Sequence, residues 1–152
     1  MCLIIDANVA ARVFAGPCDA DFSPIWDWIE DRDGKLVFGG RHAEELRRVG
    51  HVSRRLKELW RAGRALRVPT ERIDQEEQQV KAIDGRKSDD PHVLALARAS
   101  GARVLCTDDA DLQADFKNLN MVPRPKGKIY KNRGHRALLG HNQVCLGRPR
   151  AR

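Results

Sequence analysis

The chain has 152 residues, one domain's worth on a scale of roughly 100–200 residues per domain, and its 41% hydrophobic and 32% charged residues describe a water-soluble globular protein that folds without staples. No apolar run approaches the ~18 residues of a membrane span, and Met1-Cys2-Leu3-Ile4-Ile5-Asp6 lacks a signal peptide's charged flank and long core, so a cytoplasmic protein is expected. The net charge of +7 is uneven: residues 116–152 hold ten Lys and Arg and no acid, whereas residues 1–115 hold 18 basic and 21 acidic residues, which points to a polyanion such as nucleic acid or to a merely solubilising tail.

Leu3-Ile4-Ile5 is a short apolar run ending at Asp6, the pattern of a buried strand in a parallel sheet. Ser23-Pro24 starts a helix with Ile25, Trp26 and Ile29 as its apolar stripe, and Gly34 helps to end it. Lys35-Leu36-Val37-Phe38 predicts a second strand, broken by Gly39-Gly40. Leu46, Val49, Leu56, Leu59 and Trp60 recur at helical spacing over 42–66, with Gly50 and Gly63 as points where one helix becomes two. Ala65-Leu66-Arg67-Val68 reads as a short strand, and 74–83 as a polar helix. A compact helix over 91–99 leads to the strand Val104-Leu105-Cys106, then a helix over 110–116 and a short strand near Met121-Val122. Strands alternating with helices predict an α/β fold with a mostly parallel central sheet. No repeats interrupt it.

The cysteines at 2, 18, 106 and 145 include no Cys-x-x-Cys pair and read as small buried hydrophobes or idle thiols. A zinc site drawn from His135, His141 and Cys145 lacks a matching upstream pair.

The acids carry more information. Two apolar strands end in them, at Asp6 and at Thr107-Asp108-Asp109, and Glu44-Glu45 and Asp89-Asp90 sit at helix starts. Polar groups of open parallel sheets gather beyond the carboxyl ends of the strands, so these elements can converge. Several carboxylates within about 5 Å repel one another and call for a divalent cation. Hard oxygen donors without a converging histidine favour Mg²⁺ or Mn²⁺ over zinc. Each acid also has a structural use. Asp90 before Pro91 suits an N-cap, Asp108 or Asp109 can cap the next helix, and Glu44 can pair with Arg48 across one turn. Asp6 is the hardest to assign that way, because an acid closing a buried strand is costly unless something uses it.

Taken together, Ile4-Ile5-Asp6-Ala7-Asn8-Val9, Glu45-Leu46, Asp90-Pro91-His92-Val93-Leu94-Ala95-Leu96-Ala97 and Thr107-Asp108-Asp109-Ala110-Asp111-Leu112 resemble the PIN-domain nucleases, including VapC-type toxins. The resemblance spans roughly residues 3–122, and its most specific part runs from Asp90 to Asp111. It implies a three-layer α/β/α sandwich, a nuclease domain over 1–122 followed by a basic extension over 123–152, and an acidic pocket holding one or two Mg²⁺ or Mn²⁺ ions. Carried over by position, Asp6, Glu45, Asp90 and Asp109 are the catalytic, metal-binding acids, Asp111 is a fifth candidate ligand, and Asn8 and Thr107 support the pocket. Glu44 rivals Glu45, which is preferred because it precedes the aliphatic Leu46. The resemblance also implies an antitoxin protein that blocks the pocket, and a homodimer.

The expected activity is that of a metal-dependent endoribonuclease: the metal polarises the scissile phosphate and supplies a hydroxide-like nucleophile, leaving a 5′-phosphate. His92 invites a general-base role but reads more simply as a neutral histidine on a helix surface. Lys126, Lys128, Lys131, Arg133 and Arg136 are the expected contacts to the RNA backbone. The alternative is a non-catalytic RNA- or ribosome-binding module whose acids are caps and whose basic tail binds. An aspartyl phosphatase needs a second acid two residues after Asp6, where Asn8 stands, and no P-loop is present.

Overall fold

The strands alternate between two hydrophobic cores, one on each face of the sheet. A computed structural model describes residues 2–16 and 19–140. In chain order the elements are β1 (Cys2–Ile5), α1 (Ala7–Val13), α2 (Ser23–Asp31), β2 (Lys35–Phe38), α3 (Gly40–Arg47), α4 (Gly50–Arg61), β3 (Ala65–Arg67), α5 (Thr70–Lys81), α6 (Pro91–Ser100), β4 (Val104–Cys106), α7 (Ala110–Lys117) and β5 (Lys128–Ile129), followed by a 3-10 helix (Arg133–Gly140). The five strands form one sheet in the order β3-β2-β1-β4-β5, and every pairing is parallel.

Period-two alternation divides the strand residues. Leu3, Ile5, Leu36, Phe38, Val104 and Cys106 face one core, which α1, α2, α3 and α4 cover with Val13, Ile25, Leu46 and Leu56. Cys2, Ile4, Val37 and Leu105 face the other, filled by Ile73 and Val80 of α5, most of α6, and Leu112 and Phe116 of α7. The result is the expected three-layer α/β/α sandwich. Nine of the ten residues of α6 are buried, because it lies between the sheet and α5. Gly101 ends it in the left-handed conformation at φ 83°, where a side chain would be strained.

Several local expectations are corrected. The stretch 42–66 is not among them: it divides into two helices at Arg48 and Val49, beside Gly50, and the expected strand follows at Ala65–Arg67. The polar helix begins at Thr70 rather than 74, directly after Pro69. A further helix, α1, follows Asp6 with no intervening loop. Met121 and Val122 are fully buried but form no strand: their N–H groups return to the Asn118 carbonyl in a turn. The strand beside β4 is Lys128–Ile129, and Tyr130 and Leu139 beyond it enter the first core. Residues past 122 therefore supply the sheet's last strand and part of its core. Cys2 is disulfide-bonded, not an idle thiol. Cys106 is the free cysteine among the described residues, and burial pushes its thiol well above the usual range. Two members of the drawn zinc set, His141 and Cys145, lie outside the described residues, as does Cys18. Among the described residues, no helix is long and apolar enough to cross a membrane.

Candidate metal centre

Strand order reverses at β1: β2 and β3 lie to one side, β4 and β5 to the other. Connections leave the carboxyl ends of β1 and β4 in opposite directions and open a crevice there, the usual ligand position in such sheets. Asp6 stands at the end of β1, and Thr107, Asp108 and Asp109 follow β4. The Asp6 N–H bonds the Cys106 carbonyl at 2.9 Å, which carries the pairing one residue past the strands and sets the two acidic ends side by side.

Thr107 organises this junction. Its hydroxyl donates to Asp6 Oδ2 at 2.7 Å and accepts from Asn8 Nδ2 at 3.3 Å and from the Asp109 N–H at 3.1 Å. One donor and two acceptor positions are thus filled, the full capacity of a hydroxyl. Asn8 Oδ1 in turn takes the Asp108 N–H at 3.4 Å. Thr107 and Asn8 thus tie Asp6 to the backbone that follows β4.

Glu45 arrives from β2. Gly39 and Gly40 let α3 begin immediately after the strand, since a Cβ on Gly39 would lie 2.7 Å from the Val68 carbonyl oxygen and Gly40 has φ 55°. Glu45 then faces the crevice, whereas Glu44 is exposed. Asp90 arrives from the turn before α6. It occupies the N-cap position, but its side chain makes no capping bond, so its carboxylate remains available. Asp109 does cap α7, one oxygen accepting from the Asp111 and Leu112 N–H groups at 2.9 and 3.2 Å. Asp111 is exposed in the first turn of α7.

Electrostatics ties these acids into one site. The Asp6 carboxyl is held above its ordinary value of 3.8, chiefly by burial, and the charges of Asp90 and Glu45 raise it further against the Thr107 hydrogen bond. Asp90 is raised as well, by burial and then by Glu45 and Asp109, with His92 and Arg41 opposing. Asp90 and Glu45 therefore act on Asp6, and Glu45 and Asp109 on Asp90. Bringing them together costs free energy at neutral pH unless a cation compensates.

His92 is the main correction within the site. It is 1% exposed rather than on the helix surface, and its Nε2 lies 2.9 Å from Glu45 Oε1. Donor atoms of Glu45, Asp90 and His92 all fall within 4.8 Å of one another, a group able to hold a metal ion. So a histidine does converge on the site. A carboxylate only accepts, so His92 Nε2 donates to Glu45, while Nδ1 is buried without a partner among the described residues. His92 in this form fixes the orientation of Glu45, as outer residues of metal centres commonly do. A second histidine, His42 of α3, is buried beneath and donates from Nε2 to the Ile5 carbonyl at 2.8 Å. Burial lowers its pKa to about 4, so it is neutral at physiological pH. Neither histidine's role was readable in sequence, although spacing after the glycine pair and after Asp90-Pro91 marks both as early helix positions.

The five basic candidates are exposed but do not share one location. Lys128 pairs with Val104 at the amino end of β4, so Lys126 and Lys128 lie toward the edge opposite the acids. Lys131 follows the carboxyl end of β5, and Arg133 and Arg136 line a cavity against α2 together with Arg32.

Compared with known families, curated proteins and solved structures, the chain matches none.

Proposed function

We propose that the protein is a metal-dependent endoribonuclease of PIN-domain type, with Asp6, Glu45, Asp90 and Asp109 as its metal-binding acids and Mg²⁺ or Mn²⁺ as the ion. The observation that carries this reading is the mutual repulsion of carboxylates at the β1–β4 crevice, of which Asp6 and Asp90 form no ion pair or side-chain helix cap among the described residues. A cap explanation would need side-chain bonds that neither residue makes. The donor set is dominated by carboxylate oxygens, which suits a hard divalent cation. Bound there, such an ion supplies charge stabilisation for a phosphodiester and lowers the pKa of water.

The protein's own part is positioning. Thr107 aims the Asp6 carboxylate, and His92 does the same for Glu45. Asp109 has one oxygen committed to α7 and the other free for the crevice. The Thr107 hydroxyl is saturated by hydrogen bonds and the Cys106 thiol is buried and protonated, so neither is a nucleophile; hydrolysis by water fits better than a covalent intermediate.

The test is cleavage of mixed single-stranded RNA with Mn²⁺ or Mg²⁺, run beside Asp6→Asn and a chelator. Loss of at least about two orders of magnitude is expected from the substitution, with the circular dichroism spectrum unchanged. Equal cleavage by the variant would reject the assignment. RNA binding without any metal-dependent cleavage would return the protein to a non-catalytic module.

A further inference from the structure

A second charged feature lies on the same edge of the sheet but outside the acidic crevice. Between α3, α4 and the ends of β2 and β3 is an open groove of about 280 Å³. Its apolar floor includes Phe38 and Leu56, and its walls carry Arg47, Lys57, Arg61 and Arg67 with no acid among the lining residues. Among the described residues these four cations make no side-chain hydrogen bond or ion pair. That is unusual in the part of the chain whose acids outnumber its bases.

Trp60 stands at this groove with 52% of its surface exposed. The other two tryptophans are used internally: Trp28 is 3% exposed, and Trp26 packs edge-on to Phe14 and beneath Arg55. Among the described residues Trp60 has no such ring or cation partner. A large apolar ring left in water beside four uncompensated charges suits a ligand that is both flat and anionic. A nucleotide in a single strand is such a ligand, because its unpaired base stacks while its phosphates meet the cations. An acidic peptide would satisfy the charges and leave the indole unused.

Position supports the same partner. Phe38 and Arg67 close β2 and β3 at the carboxyl edge where Asp6 closes β1, so the groove begins roughly 5–10 Å along the sheet from the acids, one or two strand spacings. Helix α3 joins the two sites, with Glu45 facing the crevice and Arg47 the groove. We infer that this groove is a subsite for a nucleotide of single-stranded RNA flanking the cleaved bond, with the base stacked on Trp60 and the backbone held by Arg47, Lys57, Arg61 and Arg67. The assignment of the flanking position rests on the nuclease reading; the binding itself does not.

The experiment separates the two. Tryptophan fluorescence of the full protein is followed while a short oligouridylate is added in metal-free buffer, where cleavage is absent. Saturable quenching is expected; Trp60→Ala should abolish most of it and, by the anisotropy of a dye-labelled oligouridylate, weaken binding about tenfold, the scale of one lost stacking contact. Arg61→Glu should weaken binding and reduce the slope of log affinity against log salt by at least about 1. Both substitutions are at the surface, and circular dichroism checks the fold. No quenching, or equal quenching by poly-glutamate or by duplex RNA of the same charge, would overturn the subsite. Metal-dependent cleavage with an unchanged KM in Trp60→Ala would also overturn it while leaving the nuclease reading intact. Trp60-dependent quenching in a protein that never cleaves would do the reverse.

Discussion

Two regions of this molecule bury aspartates and treat them in opposite ways. Asp115 of α7 is 1% exposed, and its two oxygens accept the Lys87 N–H at 3.1 Å each and the Ser88 N–H at 2.8 Å. At the crevice, Asp6 is 6% exposed and receives the Thr107 hydroxyl and a backbone contact from Ala7, but also the charges of Asp90 and Glu45. The first carboxylate is fully employed in holding a loop. The second is held among like charges that His92 and Arg41 offset only in part, leaving both Asp6 and Asp90 raised. A buried acid is therefore informative only when its partners are known, because the same residue type at the same depth can be a structural clamp or an unmet demand for a cation. The two regions also connect: the loop clamped by Asp115 leads directly into Asp90.

That contrast can be broken by substitution. Asp115→Ala should show the largest stability effect, about 3 kcal/mol, because two backbone N–H groups lose a charged acceptor inside the protein. At roughly 2–4 °C per kcal/mol for a chain this size, thermal denaturation should move down by about 6–12 °C. A shift below 2 °C would show that water replaces the carboxylate and that the clamp is dispensable.

Acidification should reveal His42. Its folded pKa of about 4 lies below the ordinary 6.5, so the unfolded chain binds the proton first, and stability falls as pH drops from 6.5 toward 4. The loss amounts to about 3 kcal/mol at the lower end. His42→Gln, which keeps a donor toward Ile5, should flatten that part of the denaturation profile; an unchanged profile would place the acid sensitivity elsewhere. Asp6 and Asp90 act with the opposite sign. Their raised values mean the metal-free fold loses stability as pH rises from 3.8 through the folded pKa of each.

It follows that Asp6→Asn, measured without metal at neutral pH, should leave the melting temperature unchanged or raise it by a few degrees, the reverse of Asp115→Ala. Mn²⁺ should stabilise the parent protein and not the variant. A drop in the metal-free variant would mean that Asp6 is itself a structural clamp. The smallest effect is expected at Glu44, which is exposed: Glu44→Gln should change stability by less than about 0.5 kcal/mol and leave Mn²⁺ stabilisation intact, whereas Glu45→Gln should weaken it.

Much of the fold was legible in the residues. Apolar runs closed by acids or glycines mark β1, β2 and β4, and Pro24 and Pro91 mark the starts of two helices. The misses share a cause. Helix α1 has seven residues and no side-chain cap, so it carries no start signal of its own; its place follows from Asp6 emerging at the sheet edge. Met121 and Val122 have the apolarity of a strand because they are buried, yet a turn from Asn118 buries them as well. Lys128–Ile129 has no strand pattern and pairs because β4 offers it an unpaired edge.

The same division runs through the site. Local chemistry determined which residues are acids, that two of them end apolar runs, and that glycines follow β2, because these depend on neighbours a few positions away. Only the tertiary structure decided that Asp90 leaves its helix uncapped while Asp109 does not, that Glu45 rather than Glu44 faces the crevice, and that His92 is buried against Glu45. Those outcomes depend on where strand order reverses and on how α3 and α6 pack. Electrostatic interactions among residues 6, 45, 90 and 109 reach across most of the chain, and no local pattern encodes a distance of that kind.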